Sequence, residues 1–391
     1  MLRSTLLLCR QPQQKLLFTP GPLLVTDAVK QAMQIDYGSR DTYFMETVSK
    51  IRQGVVDIAG ISSSEEKAKW TCVPMQGSGT MGVEAAISTC APRKNPKALV
   101  VCNGAYGIRH TNICRRLGIE TSTFEFAEGA QLDLQKFEDA IKNTKDLTTF
   151  VTVHSETSTG VINPIEDMTP IVKRHHPNAT VIVDAMSSFG GFPIETDKVA
   201  DVLVSSFNKC IQGVPGASLC LARKDFLTQV CKNQSRSFTL DLTMQFEALE
   251  KSGQFPFTPP THVITAFRQA LEELEQEGGV EARYKRFKSN SDYVIDEMLD
   301  IGFSLFIKDR KAKHLGPFIV PFDFPQKETG WEFTWFYEYL KDRNCVIYPG
   351  KASKADTFRI GCIGDLHRED FKLLIESVKG ALKEKNISLK K

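Results

Sequence analysis

Two side chains in this sequence of 391 residues stand where amine chemistry would want them. Asp184 closes the apolar run Thr180-Val181-Ile182-Val183, and Lys209 follows the run Val202-Leu203-Val204-Ser205 through Ser206-Phe207-Asn208. Taken singly, Asp184 reads as a helix cap and Lys209 as a solvated surface charge. Together, at the ends of two buried strands, they supply an amine that can form a Schiff base and a carboxylate that can keep a ring nitrogen protonated. That pair is what pyridoxal phosphate requires. A glycine-rich run after Lys209 (Gly213, Gly216) and the segment Gln76-Gly77-Ser78-Gly79-Thr80 strengthen the case. The second precedes a helix predicted over Met81 to Ser88. Its glycines let the backbone come close, while free amides and the Ser78 and Thr80 hydroxyls face an anion. No Gly-Lys-Ser/Thr closes this loop and no complete G-x-G-x-x-G is present, so it is neither a Walker A loop nor a dinucleotide fingerprint.

Other strand ends feed the same pocket. Cys102-Asn103-Gly104-Ala105-Tyr106-Gly107 offers Tyr106 as a ring to stack on a pyridine, the alternative being a core aromatic. His154-Ser155-Glu156-Thr157 offers the Thr157 hydroxyl to the cofactor's phenolic oxygen. His154 reads as a structural histidine, because a freed Lys209 can itself be the general base. Arg359, in Phe358-Arg359-Ile360, is either a solvated arginine or a bidentate clamp on an anionic substrate, since a planar guanidinium matches carboxylate or phosphonate oxygens. Arg40 is a second anion contact, or an ion-pair partner of Asp41 or a surface charge.

The elements that must position these groups follow from the pattern. From about residue 70 to 225, short β-branched runs alternate with helical stretches, which predicts an α/β fold with a mostly parallel sheet covered on both faces. In such a sheet, ligands sit beyond the carboxyl ends of the strands. After Pro259-Pro260 come two amphipathic helices, about His262 to Glu277 and about Val280 to Leu299, separated by Gly278-Gly279. The remainder reads as a small α+β domain. The expected division is an N-terminal extension over 1–15, a large cofactor-binding domain over 16–265 and a small C-terminal domain over 266–391.

Composition narrows the partners. Lys plus Arg (49) nearly balances Asp plus Glu (47), so no net basic field gathers nucleic acid or an anionic membrane. Hydrophobic residues are 41% and mean hydropathy is −0.21, which excludes a largely disordered chain and a polytopic membrane protein. The ten cysteines form no C-x-x-C pair and no zinc spacing, and no metal is expected. Most lie in apolar runs, which fits a reducing compartment, the cytoplasm. Arg3, Arg10 and Lys15 with no acid before Asp27 leave open either an unstructured extension or a short presequence for the mitochondrial matrix.

Longer motifs carry a resemblance. Val183-Asp184-Ala185-Met186-Ser187-Ser188-Phe189-Gly190-Gly191 and Ser205-Ser206-Phe207-Asn208-Lys209-Cys210-Ile211-Gln212-Gly213-Val214-Pro215-Gly216 closely resemble the class V aminotransferases that act on 2-aminoethylphosphonate and pyruvate. So do Phe18-Thr19-Pro20-Gly21-Pro22, Ser235-Arg236-Ser237-Phe238-Thr239-Leu240-Asp241-Leu242 and Phe358-Arg359-Ile360-Gly361, and the similarity spans about residues 16 to 385. The resemblance implies a homodimer of fold-type I and pyridoxal 5'-phosphate as cofactor, with Lys209 as the Schiff-base lysine, Asp184 at the ring nitrogen and Tyr106 on the ring. It also implies Ser78, Gly79, Thr80 and Asn208 near the phosphate, with Thr258 reaching the phosphate of the neighbouring subunit. The implied reaction gives phosphonoacetaldehyde and L-alanine, a step of phosphonate catabolism. Alternatives are an alanine:glyoxylate or serine:pyruvate aminotransferase and, from another class, a non-catalytic pyridoxal phosphate-binding protein. Phe207 and Cys362 depart from the family pattern, which carries Ala and Asn there, and the bulk of Phe207 beside Lys209 is expected to reshape the substrate pocket.

Overall fold

The structure, a computed structural model, describes residues 14–350 and 355–389. Residues 1–13 of the expected extension, with Arg3 and Arg10, lie outside the described residues. The chain opens with β1 (Leu16–Leu17), α1 (Asp27–Gln31), α2 (Thr42–Asp57) and α3 (Ser64–Ala68). A run of alternating elements follows: β2 (Trp70–Gln76), α4 (Gly79–Cys90), β3 (Lys97–Cys102), α5 (Ala105–Arg116), β4 (Glu120–Glu125), α6 (Leu134–Asn143) and β5 (Thr149–Val153). Next come the short hairpin β6 (Ser155–Glu156) and β7 (Val161–Ile162), then α7 (Ile165–His175), β8 (Thr180–Asp184), α8 (Thr196–Val199), β9 (Val202–Ser206), β10 (Ala217–Arg223) and α9 (Leu242–Ser252). The last part holds α10 (Thr261–Gln276), α11 (Gly279–Ile301), β11 (Ile319–Asp323), α12 (Phe333–Asp342), β12 (Cys345–Val346), β13 (Tyr348–Pro349), β14 (Thr357–Gly361) and α13 (Arg368–Glu384).

The main sheet has seven strands in the order β2-β10-β9-β8-β5-β3-β4. All neighbours pair in parallel except β10, which runs against both β2 and β9. Because β10 alone is reversed, its start lies at the edge where the other strands end. Side chains alternate between two cores: Leu99, Val101, Phe150, Val183 and Leu203 face one, and Val100, Val151, Ile182, Val202 and Val204 face the other. That alternation explains why the strands read as continuous apolar runs, since both faces are buried. The edge strand β4 is polar and part exposed, and the sequence reading passed over it.

A separate core gathers β11, β14, α12 and α13 around Phe322, Phe336, Phe358 and Phe371. Phe18 belongs to it as well, because β1 pairs in parallel with β12 and Phe18 O accepts from Gly361 N at 3.0 Å. Arg359 lies on the middle strand of the three-stranded sheet β11-β14-β13. The boundary expected near residue 265 falls inside α10, whose Ile264, Ala266, Phe267, Ala270 and Leu271 pack into the core of the large body. The changeover therefore comes at Gly278-Gly279, two left-handed residues between α10 and α11 that let the chain turn sharply. Among the described residues no helix is long and apolar enough to cross a membrane.

Candidate active site

The strand ends meet at one cavity of about 410 Å³, within the size range of small-molecule sites. Ser78, Gly79, Thr80, Tyr106, Thr157, Asp184, Asn208 and Lys209 all line it. Asp184 ends a strand of the main sheet, Ser78, Asn208 and Lys209 lie in the turns after such strands, Gly79, Thr80 and Tyr106 open the helices that follow, and Thr157 lies in the turn of the β6–β7 hairpin.

Asp184 ends β8 nearly fully buried, and both of its oxygens are held. Met186 N donates to Oδ1 at 2.9 Å, and His110 Nε2 lies 2.9 Å from Oδ2. His110 therefore carries its hydrogen on Nε2. Lys209 sits in the turn after β9, where its Nζ donates to the Pro20 carbonyl. Gly21 beside it has a positive φ, and any side chain there would run into the lysine amine. The loop beyond Lys209 is fastened from α11: Arg283, 1% exposed, donates to Cys210 O at 3.0 Å and Ile211 O at 3.1 Å, and Arg286 donates to Gln212 Oε1 at 2.8 Å. Glu277 pairs with both arginines.

The helix α5 brings two groups to the cavity and a third to Asp184 behind it, all from one face. Tyr106, Arg109 and His110 stand at i, i+3 and i+4, the spacing that aligns side chains along a helix. The start of α5 is fixed by Glu156, a fully buried carboxylate that accepts from Tyr106 N at 3.2 Å, Gly107 N at 3.3 Å and the Ser158 hydroxyl. Negative charge at a helix start is favourable, and it satisfies amides that have no intrahelical acceptor. Burial pushes the Glu156 carboxyl pKa up, and the Ser158 and Gly107 donors oppose that shift. Burial likewise raises the Tyr106 hydroxyl, which stays a neutral phenol at physiological pH.

Pyridoxal phosphate fits this donor set. The amides of Gly79 and Thr80 open α4 with no intrahelical acceptor, and Gly77 N is already used by Gly216 O at 2.9 Å. Ser206 also lines the cavity, and its buried Oγ has no partner among the described residues, which leaves it open to a polar group of a bound ligand. A carboxylate, an amine, an aromatic face and an anion cradle are thus in place for a phosphorylated pyridine.

Three expected residues lie outside the lining. Arg359, 5% exposed, stands one residue behind it: Nη1 donates to Thr157 O at 3.3 Å, and Nε and Nη2 donate to Pro349 O at 3.2 and 3.1 Å. Burial lowers its pKa, and among the described residues it has no carboxylate ion pair. Arg40 is exposed and makes no ion pair with Asp41, whose carboxylate accepts from Gly38 N at 2.9 Å instead. Thr258 is exposed, next to the Phe238–Phe257 ring pair whose members are 76% and 37% exposed. Phe207 does not reshape the pocket as expected. It is fully buried and stacks on Phe267 with ring centroids 3.7 Å apart, pointing into the core. Cys362 is also buried in the C-terminal core.

Arg109, His110, Glu156, Ser206, Arg283 and Arg286 were missed by sequence reasoning. The spacing of Arg109 and His110 from Tyr106 was the available signal for those two.

The family described as aminotransferase class-V matches residues 28–352 of the chain. A 2-aminoethylphosphonate–pyruvate transaminase of Phocaeicola vulgatus is 43% identical over 371 residues, covering 94% of this chain and 99% of its own. The transaminase of the same name from Bacillus mycoides is 44% identical over 365 residues, covering 93% and 96%. Among solved structures, an alanine–glyoxylate aminotransferase of Nostoc has a TM-score of 0.85 at 23% identity, covering 95% and 96%. A pyridoxamine–pyruvate aminotransferase of Mesorhizobium loti has the same TM-score of 0.85 at 21% identity, covering 97% and 95%.

His154 allows a test of the wall behind the cavity. It is fully buried, its Nδ1 is 2.9 Å from Ser188 Oγ, and burial lowers its pKa from 6.5 to about 4. The unfolded chain then binds a proton that the folded chain refuses, so stability falls as pH drops from about 6.5 toward about 4 and is unaffected above that window. Denaturant midpoints at pH 7 and pH 4.5 should show this slope, and His154→Phe should reduce it by on the order of 2 kcal/mol. An unchanged slope would mean that His154 is solvated.

Proposed function

Because the chain belongs to the class V aminotransferases, we propose that it transfers the amino group of 2-aminoethylphosphonate to pyruvate, giving phosphonoacetaldehyde and L-alanine, with pyridoxal 5'-phosphate as cofactor. The observation that carries the substrate reading is Arg359. It is a buried guanidinium whose hydrogen bonds among the described residues all go to carbonyl oxygens, one residue from the cavity wall at Thr157. Among the described residues no carboxylate is in ion-pair contact with it, and a buried cation without such a contact favours an anionic ligand. Both amino donor and amino acceptor are short molecules with an anion at the far end, so one planar fork serves the two in turn.

When bound, the cofactor supplies a carbonyl carbon that takes up the amino group and a pyridine ring that withdraws electrons from the carbon losing its proton. The residues of the chain do the rest. Lys209 Nζ, as free amine, takes the proton from the amino-bearing carbon of the donor and gives it up on the other side of the transferring nitrogen, and the Pro20 carbonyl stabilises its ammonium form in between. Asp184, fixed by His110 and the Met186 amide, holds its charge toward the ring nitrogen. Tyr106 covers the ring face and excludes water, and the Thr157 hydroxyl serves the phenolic oxygen. Ser78, Gly79, Thr80 and Asn208 hold the phosphate. The clamp is assigned to Arg359 alone, since it is buried directly behind Thr157 of the cavity wall, whereas Arg40 is exposed.

We infer further that the working unit is a homodimer. Exposed Phe238 and Phe257 flank Thr258, and a second copy covering them would bring Thr258 to the phosphate of the partner subunit. The described cysteines are all free and buried, which suits a reducing compartment, the cytoplasm or a mitochondrial matrix.

A coupled assay with 2-aminoethylphosphonate, serine and alanine as donors should give the highest kcat/KM with 2-aminoethylphosphonate and pyruvate, and no turnover in Lys209→Ala with any donor. Preference for alanine with glyoxylate would overturn the substrate. Arg359→Ala should raise KM for both substrates and lower kcat, by about 10- to 1,000-fold in kcat/KM, with Arg359→Lys recovering only part. Unchanged kinetics would remove the clamp. Sedimentation at assay concentration should find a dimer, and a fully active monomer would refute the shared site.

A further inference from the structure

Arg109 has a setting that the assigned roles leave unexplained. Its guanidinium lies 4.8 Å from the centroid of the Tyr106 ring, and Nη1 donates to Thr80 Oγ1 at 2.9 Å. It lines the same cavity, and among the described residues no carboxylate pairs with it. Nearly every other donor around the first turn of α4 is neutral: two amides and the hydroxyls of Ser78 and Thr80. Thr80 accepts from Arg109, so its own hydroxyl hydrogen remains to be given. A partly buried cation held by a π face and a hydroxyl, at a helix start with open amides, is prepared for a multiply charged oxyanion.

We propose that Arg109 supplies the counter-charge to the phosphate of the cofactor and so sets the affinity for the phosphorylated form. The proposal rests on the cofactor reading given above. Phosphate is favoured over the phosphonate of the substrate by position. Arg109 is bonded to Thr80 on the cradle, whereas Arg359, the proposed substrate clamp, bonds the carbonyl of Thr157 on another segment of the lining. Neutral donors alone would leave a dianion uncompensated in a half-closed site. A guanidinium that already bonds the cradle hydroxyl needs little reorganisation to meet it.

The test compares two probes on apo protein, pyridoxal 5'-phosphate and pyridoxal, by the visible absorbance that each develops on titration. In Arg109→Met the dissociation constant for pyridoxal 5'-phosphate should rise by about 10- to 100-fold, while that for pyridoxal changes by less than about twofold. Arg109→Lys should recover part of the loss, because it keeps the charge without the fork. Retained pyridoxal binding shows that the variant is folded. Equal affinity of wild type and Arg109→Met for pyridoxal 5'-phosphate would overturn the proposal. A parallel loss of both probes would do so too, as would a raised KM for 2-aminoethylphosphonate with cofactor affinity unchanged. If the wild-type apo protein developed no band with pyridoxal 5'-phosphate, the cofactor reading itself would fall and Arg109 with it.

Discussion

The seating of α5 on the end of β3 is the constraint on which the site depends. At Gly107, a Cβ would lie against the Val101 carbonyl oxygen and 2.8 Å from Cys102 Cα, and at Gly104 it would meet Glu156 Cδ at 2.5 Å. Only glycine lets the helix come that close, and only at that distance can the Glu156 carboxylate reach the Tyr106 and Gly107 amides. Once the first turn is pinned, the pitch of the helix fixes where Tyr106, Arg109 and His110 stand. His110 then locks the rotamer of Asp184, so a single packing contact orients an aromatic face, a cation and an acid together.

A second layer of support acts on the lysine. Its loop is tied to α11 by a buried Arg283–Glu277–Arg286 network, while Phe207 on the other side is sunk into the core. An arginine removed from water is tolerable here because several carbonyl oxygens and a carboxylate satisfy it, and removing one partner would leave a charge stranded. Arg286 also donates to Gly364 O and Leu366 O, so the network joins the lysine loop to the C-terminal region that carries Arg359. The cationic Arg236 performs a similar service at the far end of α4, donating to Ser88 O, Ala91 O and Pro92 O.

What the sequence revealed, and what it hid, follows the same physics. Asp184, Lys209 and the loop at Ser78 to Thr80 were legible because a strand buried on both faces is a continuous apolar run, and the residue that ends it is conspicuous. The two long helices were legible from their apolar spacing. Glu156 was not, because a carboxylate is expected in water, and only the folded chain shows that three backbone amides and a hydroxyl replace the water. Phe207 was misjudged for a related reason: adjacency to Lys209 in sequence says nothing of which way a side chain points in the tight turn after β9. The change of texture after Pro259-Pro260 marks the start of α10, whose apolar face still packs into the core of the main sheet.

The pairing of β1 with β12 has a consequence for how the protein is made. The segment from Leu16 to Gly21 leaves the ribosome long before its hydrogen-bonding partners, Asn344, Val346 and Gly361. Contacts this distant in sequence cannot form until those partners have been synthesised. The Pro20 carbonyl that receives Lys209 belongs to that segment. The acceptor for the Lys209 amine is thus anchored by residues that are made well after the lysine itself.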